Sequence, residues 1–228
     1  IRFRTNNRIN SDRIFNAYFA SYYVSATHSF TGKKIDPPII SKDMTISQLV
    51  RFFGSTGYNA RRLFEAANIM KEMIDRRCTT CLTLAGALTP IGMGNTIKTL
   101  IENGFIDWII TTGANVYHDL HFAYGLPVRQ GHFQVDDDVL FSKQIVRIYD
   151  VFIKEIGTLQ AQDFIIQREI KKIGESHSEP YSTADMSHKL GKAAYENSIN
   201  PEKSFLVSAY ENDVPVFIPA ISDSSLGL

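Results

Sequence analysis

Cys81-Leu-Thr-Leu-Ala-Gly86 and, further on, Phe105-Ile-Asp-Trp-Ile-Ile-Thr-Thr-Gly-Ala-Asn115 decide the fold of this chain. Both open as short apolar runs and close on small residues, the pattern of strands buried on both faces. Cys81 to Ala87 reads as one strand, with Thr89-Pro-Ile-Gly-Met-Gly94 as a tight loop after it. Asn95 to Asn103 reads as a helix stopped by Gly104. Phe105 to Thr112 is a second strand, and Gly113-Ala-Asn115 turns into a helix over Val116–Tyr124. Strand, glycine loop, helix, strand, glycine turn, helix is the rhythm of a parallel sheet. The expected class is α/β: a Rossmann-like, mostly parallel sheet with helices on both faces.

The closing stretch, Val214-Pro-Val-Phe-Ile-Pro-Ala-Ile-Ser-Asp223-Ser-Ser-Leu-Gly-Leu228, repeats the pattern. An apolar run rises to a carboxylate and then to small residues. In open α/β sheets ligands sit beyond the carboxyl ends of the strands, where an Asp meets a ribose hydroxyl and small residues let backbone approach phosphate. With the row ending at Leu228, the expectation is a site cut in half and a sheet truncated on its C-terminal side. Ile1-Arg-Phe-Arg-Thr has neither an initiator Met nor a signal-peptide core, so trimming is expected at the start as well.

Around this centre, residues 1–44 read as a polar, aromatic arm and lead-in loop, with Pro37-Pro38 barring a helix. Residues 45–228 read as one α/β domain. Thr45-Ile-Ser-Gln48 has capping-box form and should start a helix through Phe53. After Gly54-Ser-Thr-Gly57, Leu63, Ala66, Ala67, Met70 and Ile74 form the apolar stripe of a longer helix. Charged helices are expected over 137–156 and 158–173, another from Ser182-Thr183 to about Asn197, and a last strand over Val214–Ile218.

Composition narrows the function. Lys+Arg and Asp+Glu are 24 each, for a formal net charge of +0 and a pI near 7.2, which gives no field for a nucleic-acid backbone. Cys78 and Cys81 are too few for a disulfide scaffold and read as strand-start thiols of a reduced, cytoplasmic protein. No apolar run approaches the ~20 residues that span a bilayer.

Four sites stand out. Gly86, Ala87, Leu88, Thr89 and Pro90 form a strand-to-helix loop able to offer backbone N–H groups to a pyrophosphate, although its spacing is neither G-x-G-x-x-G nor a P-loop. Thr112, Gly113 and Ala114 lie at the end of the second strand, suited to ribose or phosphate. Tyr117, His118 and His121 follow on a helix, where the two imidazoles read as a polar cleft wall in preference to metal ligands, with Asp119 beside them. Asp136-Asp-Asp138 reads as a helix cap. His28, His132, His177 and His188 carry no spacing signal.

Taken in order, Thr56-Gly-Tyr-Asn-Ala-Arg-Arg62, Ile106-Asp-Trp-Ile-Ile-Thr-Thr-Gly-Ala-Asn115 with Asp119-Leu120, Arg147-Ile-Tyr-Asp150, Tyr181-Ser-Thr183 and Val214 to Gly227 resemble the deoxyhypusine synthase family, in particular its bacterial deoxyhypusine synthase-like branch. The resemblance implies a homotetrameric, NAD-dependent transferase. NAD accepts a hydride from a polyamine such as spermidine, and the resulting imine is attacked by an amine, so that an aminobutyl (aminoalkyl) group passes to a free diamine or a protein lysine. By position, the family's NAD contacts fall on Gly86–Pro90, on Thr112, Gly113 and Ala114, and on Asp223. Its tandem polyamine-binding glutamates are replaced by Tyr117 and His118, and the acidic residue closing its last motif by Leu228. Losing two carboxylates weakens the attraction for an ammonium. The family's nucleophilic lysine and catalytic histidine fall beyond Leu228, which leaves the catalytic residues unassigned. The alternative implied by these replacements is a non-catalytic paralogue acting as an assembly or regulatory subunit.

Overall fold

The computed structural model describes residues 32–37, 39–175 and 180–227, with the Asp223 side chain outside the description. Most of the arm expected over 1–44, together with His28, His177 and Leu228, therefore lies outside the described residues. Two compact units divide between Asp75 and Arg76. The first carries α1 (Ile46–Phe53) and α2 (Tyr58–Asp75). Thr45 caps α1 through the expected box: its hydroxyl accepts from the Gln48 amide while the Gln48 side chain accepts from the Thr45 N–H. At the corner between them, Gly54 lies flat against the Phe64 ring, 2.5 Å from where a Cβ would stand.

The second unit runs β1 (Cys81–Leu84), α3 (Gly94–Glu102), β2 (Trp108–Thr111), α4 (Gly113–Ala123), β3 (Val128–Gln130), α5 (Asp137–Ser142), β4 (Ile145–Ile148), β5 (Val151–Lys154), a π-helical turn (Glu155–Gln160), α6 (Ala161–Glu175), α7 (Thr183–Asn197), α8 (Phe205–Glu211) and β6 (Val216–Phe217). Two short 3-10 turns, Ile221–Asp223 and Ser225–Gly227, follow β6. The parallel sheet has the order β1-β2-β6, with Leu84 opposite Thr111 and Ile110 opposite Phe217. This register sets the carboxyl ends of all three strands on one edge. The core joins Ile109, Val216 and Ile218 to Ile97 and Ile101 of α3, Val116 and Leu120 of α4, Leu190 of α7, and Phe205 and Leu206 of α8. Cys78 and Cys81 are both free thiols.

The structure corrects the long helix expected over 137–156. Asp136 caps α5, accepting from the Asp138 amide at 2.9 Å, but the helix ends at Ser142 because Gln144 takes φ +55°. Ile145–Ile148 and Val151–Lys154 then pair as an antiparallel hairpin around Tyr149-Asp150, with Tyr149 also left-handed at φ +55°. Both runs are rich in β-branched residues, which favours a pleated surface over a helix. β3 joins on the other side of β5 to make a separate sheet, β3-β5-β4. The second expected helix begins at Ala161, after the π-helical turn. Ser182 caps α7 with a box closed by Asp185.

Candidate functional site

All three strand-end loops meet at the N-terminus of α4. Thr112 is its cap, accepting from the Asn115 amide, so Gly113 is the first helical residue and not part of a preceding turn. Gly113 is pressed against the segment after β6: an added Cβ would lie 2.0 Å from Ser224 Oγ and 3.6 Å from the Ile221 carbonyl oxygen. The loop after β1 is tied in by Thr89, whose hydroxyl donates to the Asn115 carbonyl oxygen at 2.8 Å. Thr89 and Asn115 are both buried. Gly86 sits at φ +70°, a turn conformation that suits a residue without Cβ. Asp223 lies in the 3-10 turn just before Ser224.

Below this junction is a cleft of about 250 Å3. One wall is the outward side of α4, with Ala114, Tyr117 and His118, continued by Ser224 and Ser225. The other is aliphatic, from Val146 and Ile148 of β4, Ile153 of β5 and Leu159 of the π-helical turn. Ala114, Tyr117 and His118 thus share one cavity. Gly86–Pro90 is joined to α4 through Thr89 but gives the cleft no wall residue.

Electrostatics differ sharply along α4. Burial pushes the His118 imidazole down to about 4, and burial with His118 alongside does the same to His121. The two rings stack at 5.2 Å, and Tyr117 meets each edge-on. Both are neutral imidazoles at physiological pH. His121 is fully buried with neither ring nitrogen hydrogen-bonded among the described residues. Among those residues, no group of three or more His, Cys, Asp or Glu is arranged to hold a metal ion. Burial, helped by Asp163, raises the Tyr117 phenol and keeps it protonated.

Asp119 points the other way and is fully buried. It accepts from the Ser204 hydroxyl and from the Phe205 and Leu206 amides at 3.1 and 3.2 Å, capping α8. Burial lifts its carboxyl to about 7 against the opposing pull of those donors. Its role is to join two helices.

Of the residues expected to hold a dinucleotide, Ala114 lines the cleft, and Thr112 and Gly113 belong to the same end of α4. Helix α4 presents its first turn beside the cleft, small residues crowd that end, and the Thr111 hydroxyl at the close of β2 is buried with no hydrogen-bond partner among the described residues. Sequence reasoning missed the hairpin wall and Asp163. The β-branched Ile145, Val146, Ile148, Val151 and Ile153 are a strand signal for the hairpin; Asp163, inside an expected helix, gives none.

Three parallel strands with their end loops gathered at one helix N-terminus place the chain among the open-sheet α/β proteins, in which ligands sit beyond the carboxyl ends of the strands. The profile of the deoxyhypusine synthase family matches residues 48–228. The chain is 37% identical over 195 residues to a protein named probable deoxyhypusine synthase 1 from Archaeoglobus fulgidus, covering 86% of this chain and 62% of the relative. It is 36% identical over 203 residues to a deoxyhypusine synthase-like protein of Nostoc punctiforme, covering 86% of this chain and 51% of that protein. The crystal structure of a deoxyhypusine synthase candidate from Entamoeba histolytica has the same fold, with a TM-score of 0.55 at 18% identity over 82% of this chain and 64% of that one. This chain belongs to the deoxyhypusine synthase family. It spans between half and two thirds of the length of these relatives.

Proposed function

We propose that this family member is an NAD-dependent transferase of the cytoplasm, homotetrameric, that moves an aminobutyl or other aminoalkyl group from a polyamine such as spermidine to an amine acceptor, a free diamine or a protein lysine. The observation that carries the reading is the convergence of the three strand-end loops on α4 beside a cleft lined by Tyr117 and His118. Thr112, Gly113 and Ala114 would hold NAD with the loop Gly86–Pro90 and Asp223. NAD, when bound, supplies the acceptor for a hydride from an amine-bearing carbon.

The chain's own residues do the rest. The first turn of α4 offers unpaired N–H groups and the positive end of a helix dipole to phosphate. Gly113 lets the segment around Ser224 close onto that turn. Tyr117 and His118 contact the amine, and the aliphatic wall excludes the water that would hydrolyse an imine. No helix among the described residues is long and apolar enough to cross a membrane.

Purified protein incubated with NAD and a polyamine should yield a new amine-linked product by mass spectrometry. Absence of product and of NADH across spermidine, putrescine and agmatine mixtures would rule the reading out. A second reading, a non-catalytic paralogue serving as an assembly or regulatory subunit, is favoured by one observation: the cleft-lining Tyr117 and His118 are neutral, where the resemblance to the family implies two carboxylates. Co-purification with an active relative, together with no turnover alone, would select it.

A further inference from the structure

The cleft walls carry no formal charge. Four aliphatic side chains face Tyr117, His118 and two serines, and the imidazole among them is neutral. Such a lining alone would give a cation no opposite charge to offset its lost hydration. Behind it, however, α6 brings one carboxylate to the wall. The Tyr117 hydroxyl donates to Asp163 Oδ1 at 2.7 Å, with the Leu159 carbonyl oxygen 3.2 Å away. Gln162, fully buried, fixes the backbone of the same residue by donating to the Tyr117 carbonyl oxygen at 2.5 Å. Among the described residues, Asp163 is the carboxylate hydrogen-bonded to a cleft-lining side chain.

A phenol whose proton is committed to a carboxylate has its oxygen left as an acceptor, and the bond to an ionised partner polarises it further. The pair Tyr117–Asp163 therefore projects negative charge to one end of an otherwise apolar cleft.

We infer that Asp163 is the specificity-determining residue for amine binding: it supplies, through Tyr117, the counter-charge for one alkylammonium head whose aliphatic body lies against Val146, Ile148, Ile153 and Leu159. The inference rests on the reading of the protein as an amine-handling transferase and assigns its cation recognition to a residue 46 positions from Tyr117 in sequence. One carboxylate serves one ammonium, so the second amine of a diamine is left outside this end of the cleft.

Calorimetric titration of the intact protein with 1,4-diaminobutane, and with 1,4-butanediol as an uncharged isostere, tests it. Wild type should prefer the diamine. Asp163→Asn should weaken the diamine about tenfold or more and leave the diol and NAD affinities unchanged. Asp163→Glu, which keeps the charge, should retain most of the preference. Tyr117→Phe should match Asp163→Asn, and the double variant should be no worse than either single one. Equal diamine affinity in wild type and Asp163→Asn overturns the assignment and leaves the transferase reading standing, as does parallel loss of diamine and diol. Failure of wild type to bind any amine removes both. If Asp163→Asn does not fold, Tyr117→Phe decides alone: undiminished diamine preference there overturns the inference.

Discussion

The Thr89 hydroxyl donates to the Asn115 carbonyl oxygen at 2.8 Å, across 26 residues of sequence, and by that bond the loop after β1 becomes part of the helix after β2. The Asn115 amide oxygen is 3.2 Å from the same hydroxyl and 3.4 Å from the Thr89 N–H, so a single buried pair closes the joint. Thr89→Val keeps the shape and removes the donor. It should cost about 1–3 kcal/mol, the penalty of an orphaned buried acceptor. In thermal unfolding this appears as a loss of several degrees, at ~2–4 °C per kcal/mol for a chain of this size.

Gly113 tests the second joint. Gly113→Ala places a methyl 2.0 Å from Ser224 Oγ, so the segment after β6 must move away. A destabilisation of about 1–3 kcal/mol is expected from such overpacking. Ser224→Gly in the same chain should recover most of it, because the remaining contact, to the Ile221 carbonyl oxygen, is an ordinary 3.6 Å. Failure of the double variant to recover thermal stability would contradict this geometry.

Asp119 sets a stability term with a defined sign. Asp119→Ala strands the Ser204 hydroxyl and two amides at the start of α8, and should cost about 1–3 kcal/mol or more, the penalty of unsatisfied buried donors. The carboxyl rises from 3.8 to about 7 on folding, so the folded state binds more protons than the unfolded state between those values. Its contribution is complete below about pH 4 and is lost as pH rises through 7. The stability of wild type relative to Asp119→Asn, from denaturant titrations, should therefore fall across that window and level off above it.

The histidine pair runs in the opposite direction. His118 and His121 drop from 6.5 to about 4 on folding, so the unfolded state binds more protons between those values. Their stabilising contribution is present above pH 6.5 and is lost as pH falls through 4. Replacing both with Gln should flatten the acid limb of the stability profile. An unchanged limb would show that these rings are not the groups protonated on acid unfolding.

Gln144 offers a stabilising change. It is exposed, sits just past the end of α5 and holds φ +55°. Gln144→Gly should raise stability by up to about 1 kcal/mol, because the left-handed region carries no Cβ penalty for glycine. Denaturant unfolding midpoints check it.

Much of the sheet was legible in the sequence because its strands are short, continuous and bounded by glycine. Wherever a local cap fixed an element, as at Thr45, Asp136 and Ser182, its start was legible too. The hairpin Ile145–Lys154 was not, since the acidic cap at Asp136 and the charges around it read as one helix; the stop depends on the left-handed backbone of Gln144, a residue with no strong preference for it. Ala114, Tyr117 and His118, which line the cleft, could be singled out from the end of β2 and the helix that follows. Asp163 could not, because only tertiary packing brings α6 to Tyr117. Asp119 stands out in the sequence as a neighbour of the imidazoles, yet its partners lie 85 to 87 residues away at the start of α8.

Three successive residues of α4 have separate duties: Tyr117 and His118 face the cavity, while Asp119 grips another helix. Rotating α4 to reshape the pocket would tear that grip, so the backbone here is in effect clamped. Divergence in what the pocket accepts must then come by exchanging side chains on a stationary rail, at neighbouring positions such as Tyr117 and His118.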